Sequence, residues 1–200
     1  MKLIRFGKQG EEKPGILLSN DEKIDVSSFV SDYDEKFFES GGLVNLKDWL
    51  NENESSAPRL DDSIRLGSPI ARPSKIICIG LNFKDHAAES GFDAPEEPLI
   101  FGKATSAICG PYDNIIIPRG SEQTDWEVEL GVVIGKKTSY VDQDQALDHV
   151  GGYVLHNDVS ERAFQKDRGG QWIKGKSADT FAPMGPFMAT PDEIDNISDM

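Results

Sequence analysis

The stretch DWEVELGVVIG, Asp125 to Gly135, decides how this 200-residue sequence is read. At a strand's period of two, Trp126, Val128, Leu130, Val132 and Ile134 share one apolar face. The opposite face carries Asp125, Glu127 and Glu129, then Gly131, Val133 and Gly135. One bland reading is a solvent-facing strand side on an acidic protein. Solvated faces usually mix charge signs, however, because like charges on one side weaken a sheet. The glycines that follow leave space above the pleat for an approaching group. A divalent cation would turn the repulsion of Glu127 and Glu129 into joint ligation. Carboxylate oxygens suit the hard cations Mg²⁺, Mn²⁺ or Ca²⁺, and no Cys/His cluster offers zinc a site.

A third oxygen ligand has a candidate in GGYVLHNDVSERAF, where Asp158 stands as a strand gives way to a helix. Asp158-x-x-Glu161 reads equally as a capping box, with Asp158 as N-cap. In ICIGLNFKDHAAES, His86 and Glu89 stand three apart where a helical turn begins, which puts them on one face. Such a pair can act as a general base, the carboxylate orienting the imidazole and stabilising its charged form. A lone His near a helix start is more often structural. Of the other histidines, His149 reads as helix surface and His156 as following a strand.

GQWIKGKS, Gly170 to Ser177, matches the P-loop pattern letter for letter. A working P-loop follows a buried strand and opens a helix whose amides cradle phosphate. Here polar, helix-like residues precede it, and the prolines of ADTFAPMGPF follow, so a nucleotide site is rejected. Lys176 keeps its interest as a cation able to meet an anionic substrate or a developing enolate.

Composition bounds the remainder. A net charge of −14 argues against nucleic acid and anionic membranes as partners, since phosphate binding needs clustered Lys and Arg. No apolar run approaches the roughly 20 residues of a membrane helix, and MKLIRFGKQGEEKPG lacks the features of a secretion signal. Cys78 and Cys109 lie in apolar stretches and read as buried free thiols, which places the protein in the cytoplasm. Residues 1–70 read as a small N-terminal α+β module and linker. From about residue 71 to 200 the texture becomes β-dominated, with short helices at the edges and no regular βα alternation.

CIGLNFKDHAAE, GKATSAICGPYDNIIIP, DWEVELGVVIG, GGYVLHNDVSERAFQ and WIKGKSADTFAPMGP together resemble the fumarylacetoacetate hydrolase family, in order from about Ser74 to Pro191. The opening MKLIRFG…KPGILL is similar to its bacterial branch of 2,4-diketo-3-deoxy-L-fuconate hydrolases and proteins labelled ureidoglycolate lyase. The resemblance implies an α+β, β-dominated fold of mixed sheets rolled around a metal site, usually in a homodimer. It implies Glu127, Glu129 and Asp158 as Mg²⁺ or Mn²⁺ ligands and His86 with Glu89 as a water-activating pair. Gln165 and Lys176 fall on positions that hold substrate oxygens, and Arg162 on a nearby residue of open role. The implied reaction is metal-dependent hydrolysis of a carbon–carbon bond in a small 2,4-diketo acid, giving pyruvate or a near relative plus a carboxylic acid. The same chemistry in the family also serves ureidoglycolate cleavage, decarboxylation and isomerisation. Relatives continue past the point matching ISDM through further strands, so the resemblance also implies that these 200 residues lack part of the complete fold.

Overall fold

The computed structural model describes residues 1–80 and 97–197. The chain begins with an antiparallel meander of β1 (Lys2–Phe6), β2 (Lys13–Leu17) and β3 (Lys23–Asp25). Leu3 and Ile4 point to opposite faces of β1, yet both are completely buried, so this strand is covered on both sides. The β2–β3 turn closes through Asp21 at φ 66°, a left-handed position that a short polar side chain tolerates. Helix α1 (Glu35–Glu39) starts at Asp34, whose carboxylate accepts a hydrogen bond from the Phe37 amide at 2.8 Å. Helix α2 (Gly42–Asn53) buries Leu46 and Leu50, one turn apart, against the meander. Strand β4 (Leu66–Gly67) then returns to pair with β1.

The later strands are β5 (Ile76–Gly80), β6 (Leu99–Lys103), β7 (Ile108–Cys109), β8 (Thr124–Asp125), β9 (Val128–Ile134), β10 (Val150–Asn157), β11 (Ser160–Glu161) and β12 (Ala182–Ala189). A one-turn π-helix (Ala163–Asp167) and helix α3 (Ile173–Lys176) lie between β11 and β12. The main sheet runs β3-β2-β1-β12-β10-β9, with β4 added on β1 and β7 parallel to β12. Strand β12 is the junction: Met188 stands opposite Leu3 of β1 on one side and Val154 of β10 on the other. Residues from both ends of the chain therefore meet in one core, where Leu3, Ile24 and Leu46 pack with Val154, Met184 and Met188. This is the expected β-dominated α+β fold, with β5-β6 and β8-β11 as two small accessory ribbons.

Several local expectations change. DQALDHV forms a 3₁₀ helix, Gln143–His149, and His156 lies within β10 instead of after it. Ala163–Asp167, after β11, form a one-turn π-helix, and residues 114–118 belong to no strand. Strand β9 differs most. Its apolar residues point outward, with Val128 60% and Ile134 57% exposed, and Leu130 sits opposite the exposed Leu155 of β10. Glu129, Gly131 and Val133 face inward instead. Nor do the glycines leave free space, because β10 fills it: a Cβ on Gly131 would lie 2.7 Å from Val154 Cγ1, and one on Gly135 2.8 Å from Gly151 Cα. They permit close strand approach, with no ligand involved.

Candidate metal centre

Glu127 sits in the irregular link between β8 and β9. Its amide donates to Asn157 Oδ1 at 3.1 Å, and its carbonyl accepts from the Asp158 amide at 2.8 Å. Those two backbone ties carry Glu127 to the end of β10, beside Asp158. Glu129, two residues on, is the register partner of His156. Carboxylate oxygens of Glu127, Glu129 and Asp158 consequently lie within 4.8 Å of one another.

Three cations stand around this triad. The Lys103 ammonium donates to Asp158 Oδ1 at 2.5 Å and to the Val159 carbonyl at 3.0 Å. Lys176 Nζ bridges Asp158 Oδ2 at 2.6 Å and Glu127 Oε2 at 3.0 Å, and lies over the Phe101 ring. Arg162 pairs with Glu127 Oε1 and reaches Asp125 Oδ2 at 2.8 Å. Burial alone would raise the Asp158 carboxyl, but Lys103 and Lys176 prevail and hold it below the usual carboxylate range. Burial in turn lowers the Lys103 ammonium, which Asp158 opposes.

Glu129 is treated differently. Among the described residues it makes no hydrogen bond or ion pair, although it is half-buried. Burial, then the charges of Asp158 and Glu127, push its carboxyl up to about 7. A carboxylate left short of positive charge, beside two others with only oxygen donors, fits a hard divalent cation.

The structure thus brings together Glu127, Glu129, Asp158, Lys176 and Arg162. Gln165 joins them: it is buried on the π-helix, and its Oε1 accepts from Arg162 Nη1 at 3.2 Å. His86 and Glu89 lie outside the described residues. Asp158 caps no helix, since β11 follows it, and the Glu161 carboxylate bonds elsewhere, so the capping-box alternative falls away. GQWIKGKS is preceded by the π-helix and a turn, and it opens only the four-residue α3 before β12, so no P-loop forms. Sequence reading missed Lys103 and Asn157. Lys103 ends the apolar strand LIFGK, and a buried lysine there looks like any strand terminus until its partner is seen.

Residues 75–200 match the family model described as fumarylacetoacetate (FAA) hydrolase C-terminal. Over 194 residues the chain is 50% identical to a Burkholderia ambifaria protein whose name assigns it provisionally to the hydrolases, covering 97% of this chain and 68% of that one. The chain belongs to the fumarylacetoacetate hydrolase family. A solved fumarylacetoacetate hydrolase from the psychrophile Exiguobacterium antarcticum superposes with a TM-score of 0.78 at 34% identity, covering 98% of this chain and 68% of that chain. The maleylpyruvate hydrolase of Sphingobium sp. SYK-6, solved with manganese(II) and pyruvate, has the same fold, with a TM-score of 0.78 at 24% identity over 98% of this chain and 69% of that chain. As a fumarylacetoacetate hydrolase family member, the protein is an enzyme with a three-carboxylate cluster of the kind that can hold a divalent metal. Among the described residues, no helix is long and apolar enough to cross a membrane.

Proposed function

We propose that this protein is a Mg²⁺- or Mn²⁺-dependent hydrolase that cleaves a carbon–carbon bond in a 2,4-diketo acid of acylpyruvate or sugar-derived type. The observation that carries the reading is the meeting of Glu127, Glu129 and Asp158, with Glu129 making no ion pair among the described residues and pushed up by burial, Asp158 and Glu127 against Lys176 and Lys103. These three would hold the cation. When bound, it supplies Lewis acidity to a 2-oxo acid's oxygens and to the negative charge that develops as the bond breaks. The manganese and pyruvate of the Sphingobium hydrolase support the same assignment.

The chain's own groups divide the remaining tasks. Lys176 and Arg162 place positive charge at the carboxylate cluster, where a substrate anion would arrive and enolate charge would grow. Gln165, held by Arg162, offers its amide to a substrate oxygen. His86, oriented by Glu89, takes a proton from the water that adds to the distal carbonyl. The bond between that carbon and its neighbour then breaks, giving a carboxylic acid and an enolate that is protonated to the 2-oxo acid. A cytoplasmic location and a homodimer belong to the same proposal. The buried free thiols support the first, and the exposed apolar face of β9 supports the second.

The deciding experiment follows the enol absorbance of an acylpyruvate-type acid with Mg²⁺ and then with EDTA. The expected result is metal-dependent loss, with pyruvate appearing in step, and its disappearance in His86→Ala. No loss, in protein that binds Mg²⁺, would overturn diketone hydrolysis and move the assignment to ureidoglycolate cleavage or decarboxylation.

A further inference from the structure

Glu161 is not one of the three clustered carboxylates, yet it is completely buried. Its Oε2 accepts from Ser121 Oγ at 2.6 Å and Thr124 Oγ1 at 2.8 Å. Its Oε1 accepts from the Gln123 amide at 3.0 Å and the Ala163 amide at 3.2 Å. Among the described residues no Lys or Arg pairs with it, so hydroxyls and backbone amides alone balance its charge. A buried carboxylate is costly unless its lone pairs are met in this way. It would be an uneconomical fastener for an ordinary loop.

Its location gives the reason. Glu161 joins the segment Ser121–Thr124 to the start of the π-helix, at the seam where β11 pairs with β8. On one side of that seam the chain runs two residues past Asp125 to Glu127. On the other side the next residue is Arg162, whose amide donates to the Gln123 carbonyl at 2.9 Å and whose guanidinium bridges Asp125 and Glu127. A third element leans on the same point. A Cβ on Gly175 would lie 2.5 Å from the Glu161 carbonyl oxygen, so α3, which carries Lys176, packs directly against it.

We propose that Glu161 is the positioning residue of the metal centre: by locking Ser121–Thr124 to the π-helix it fixes the reach of Arg162 to Glu127, and with it the aim of the Glu127 carboxylate. The inference rests on reading Glu127, Glu129 and Asp158 as cation ligands. Ligating carboxylates are themselves held by hydrogen-bonding partners, and loss of such partners typically weakens metal binding about 10- to 100-fold. Glu161 acts one step further out, through Arg162, and the lower end of that range applies.

The test titrates Mn²⁺ alone, read by the paramagnetic resonance of the free ion, into wild type, Glu161→Gln, Ser121→Ala and the double variant. Melting temperatures of the metal-free proteins are taken alongside. Glu161→Gln is expected to raise the Mn²⁺ Kd about tenfold, and Ser121→Ala to raise it by a smaller factor. The double variant should be no weaker than Glu161→Gln, since Ser121 acts through Glu161. A residue that only stabilised the fold would lower the melting temperature and leave the Kd unchanged, and that result overturns the proposal. If Glu161→Gln does not fold, the Ser121→Ala titration decides on the same criterion. Wild type that takes up no Mn²⁺ would instead remove the metal reading itself, and the positioning role with it.

Discussion

Lys103 and Asp158 form an ion pair closed to solvent on both sides, with Nζ 2.5 Å from Oδ1 and neither side chain exposed. Burying two charges is repaid only by close geometry, and removing one partner strands the other. Lys103→Met would leave Asp158 to Lys176 alone. The expected loss of metal-free stability is about 3 kcal/mol by urea denaturation. A loss well under about 1 kcal/mol, the scale of exposed pairs, would mean that the pair is open to water in solution.

Glu129 and His156, register partners on β9 and β10, impose opposite pH dependences on the metal-free protein. Burial, then Asp158 and Glu127, raise Glu129 from 4.5 to about 7, against Lys176 and Lys103. Burial, then Lys103, lower His156 from 6.5 to about 4, against Asp158 and its bond to the Pro183 carbonyl. Between the two Glu129 values the folded state keeps a proton that the unfolded chain has lost, so stability falls as pH rises. Between the two His156 values the unfolded chain holds the extra proton, so stability rises with pH. In Glu129→Gln only the histidine slope survives. Its melting temperature in EDTA should climb from pH 5 to pH 6.5 more steeply than that of wild type. Identical slopes would show that Glu129 titrates like an ordinary surface carboxylate.

Gly175→Ala should damage both stability and activity. The new Cβ would stand 2.5 Å from the Glu161 carbonyl and 2.7 Å from Gln165 Cβ, so α3 must retreat and take Lys176 with it. Overpacking of this kind costs about 1–3 kcal/mol. Displacing a group at a reacting centre by about 1 Å can cost on the order of 100-fold in rate. Denaturation and kcat/KM on the same preparation check the two effects. Retained kcat/KM would place Lys176 outside the reaction.

Cys78 and Cys109 should be slow with a thiol reagent at pH 8. Burial first, then the nearby carboxylates Asp158 and Glu129, push the Cys78 thiol up to about 12. Burial, then Asp113, push Cys109 up to about 11. Little thiolate exists at pH 8, and the reagent cannot enter. Native protein should therefore react at far less than one thiol per chain, and urea-unfolded protein at both. Rapid native reaction would contradict the burial.

Much of the candidate site was legible because its signals are local. Glu127, Glu129 and Asp158 stood out through like charges at a strand's period and through an Asp at a strand end, and the structure brings those three together. Lys176 was visible as a cation inside a false P-loop, since α3 is too short and follows no buried strand. Lys103 was not visible, because a lysine's partner across the fold leaves no mark on its neighbours in sequence. Glu161 was visible only as half of a capping box. Apart from the nearby Ala163 amide, its actual partners lie about forty residues upstream, with Ser121 at a separation of 40.

The same limit applies to β9. Alternation along the chain establishes that Val128, Leu130, Val132 and Ile134 share one face and that Glu129 and Gly131 share the other, because pleating is a property of adjacent peptides. Which face is covered is decided by residues distant in sequence: on the side bearing Glu129, Val133 packs against the core that contains Leu3, Val154 and Met188. In the same way, sequence patterning established the β-dominated class and the chemistry of the carboxylates. The closure of β1 against β12, which joins the two ends of the chain in one core, comes from packing of apolar faces far apart in sequence, and no local pattern encodes that choice.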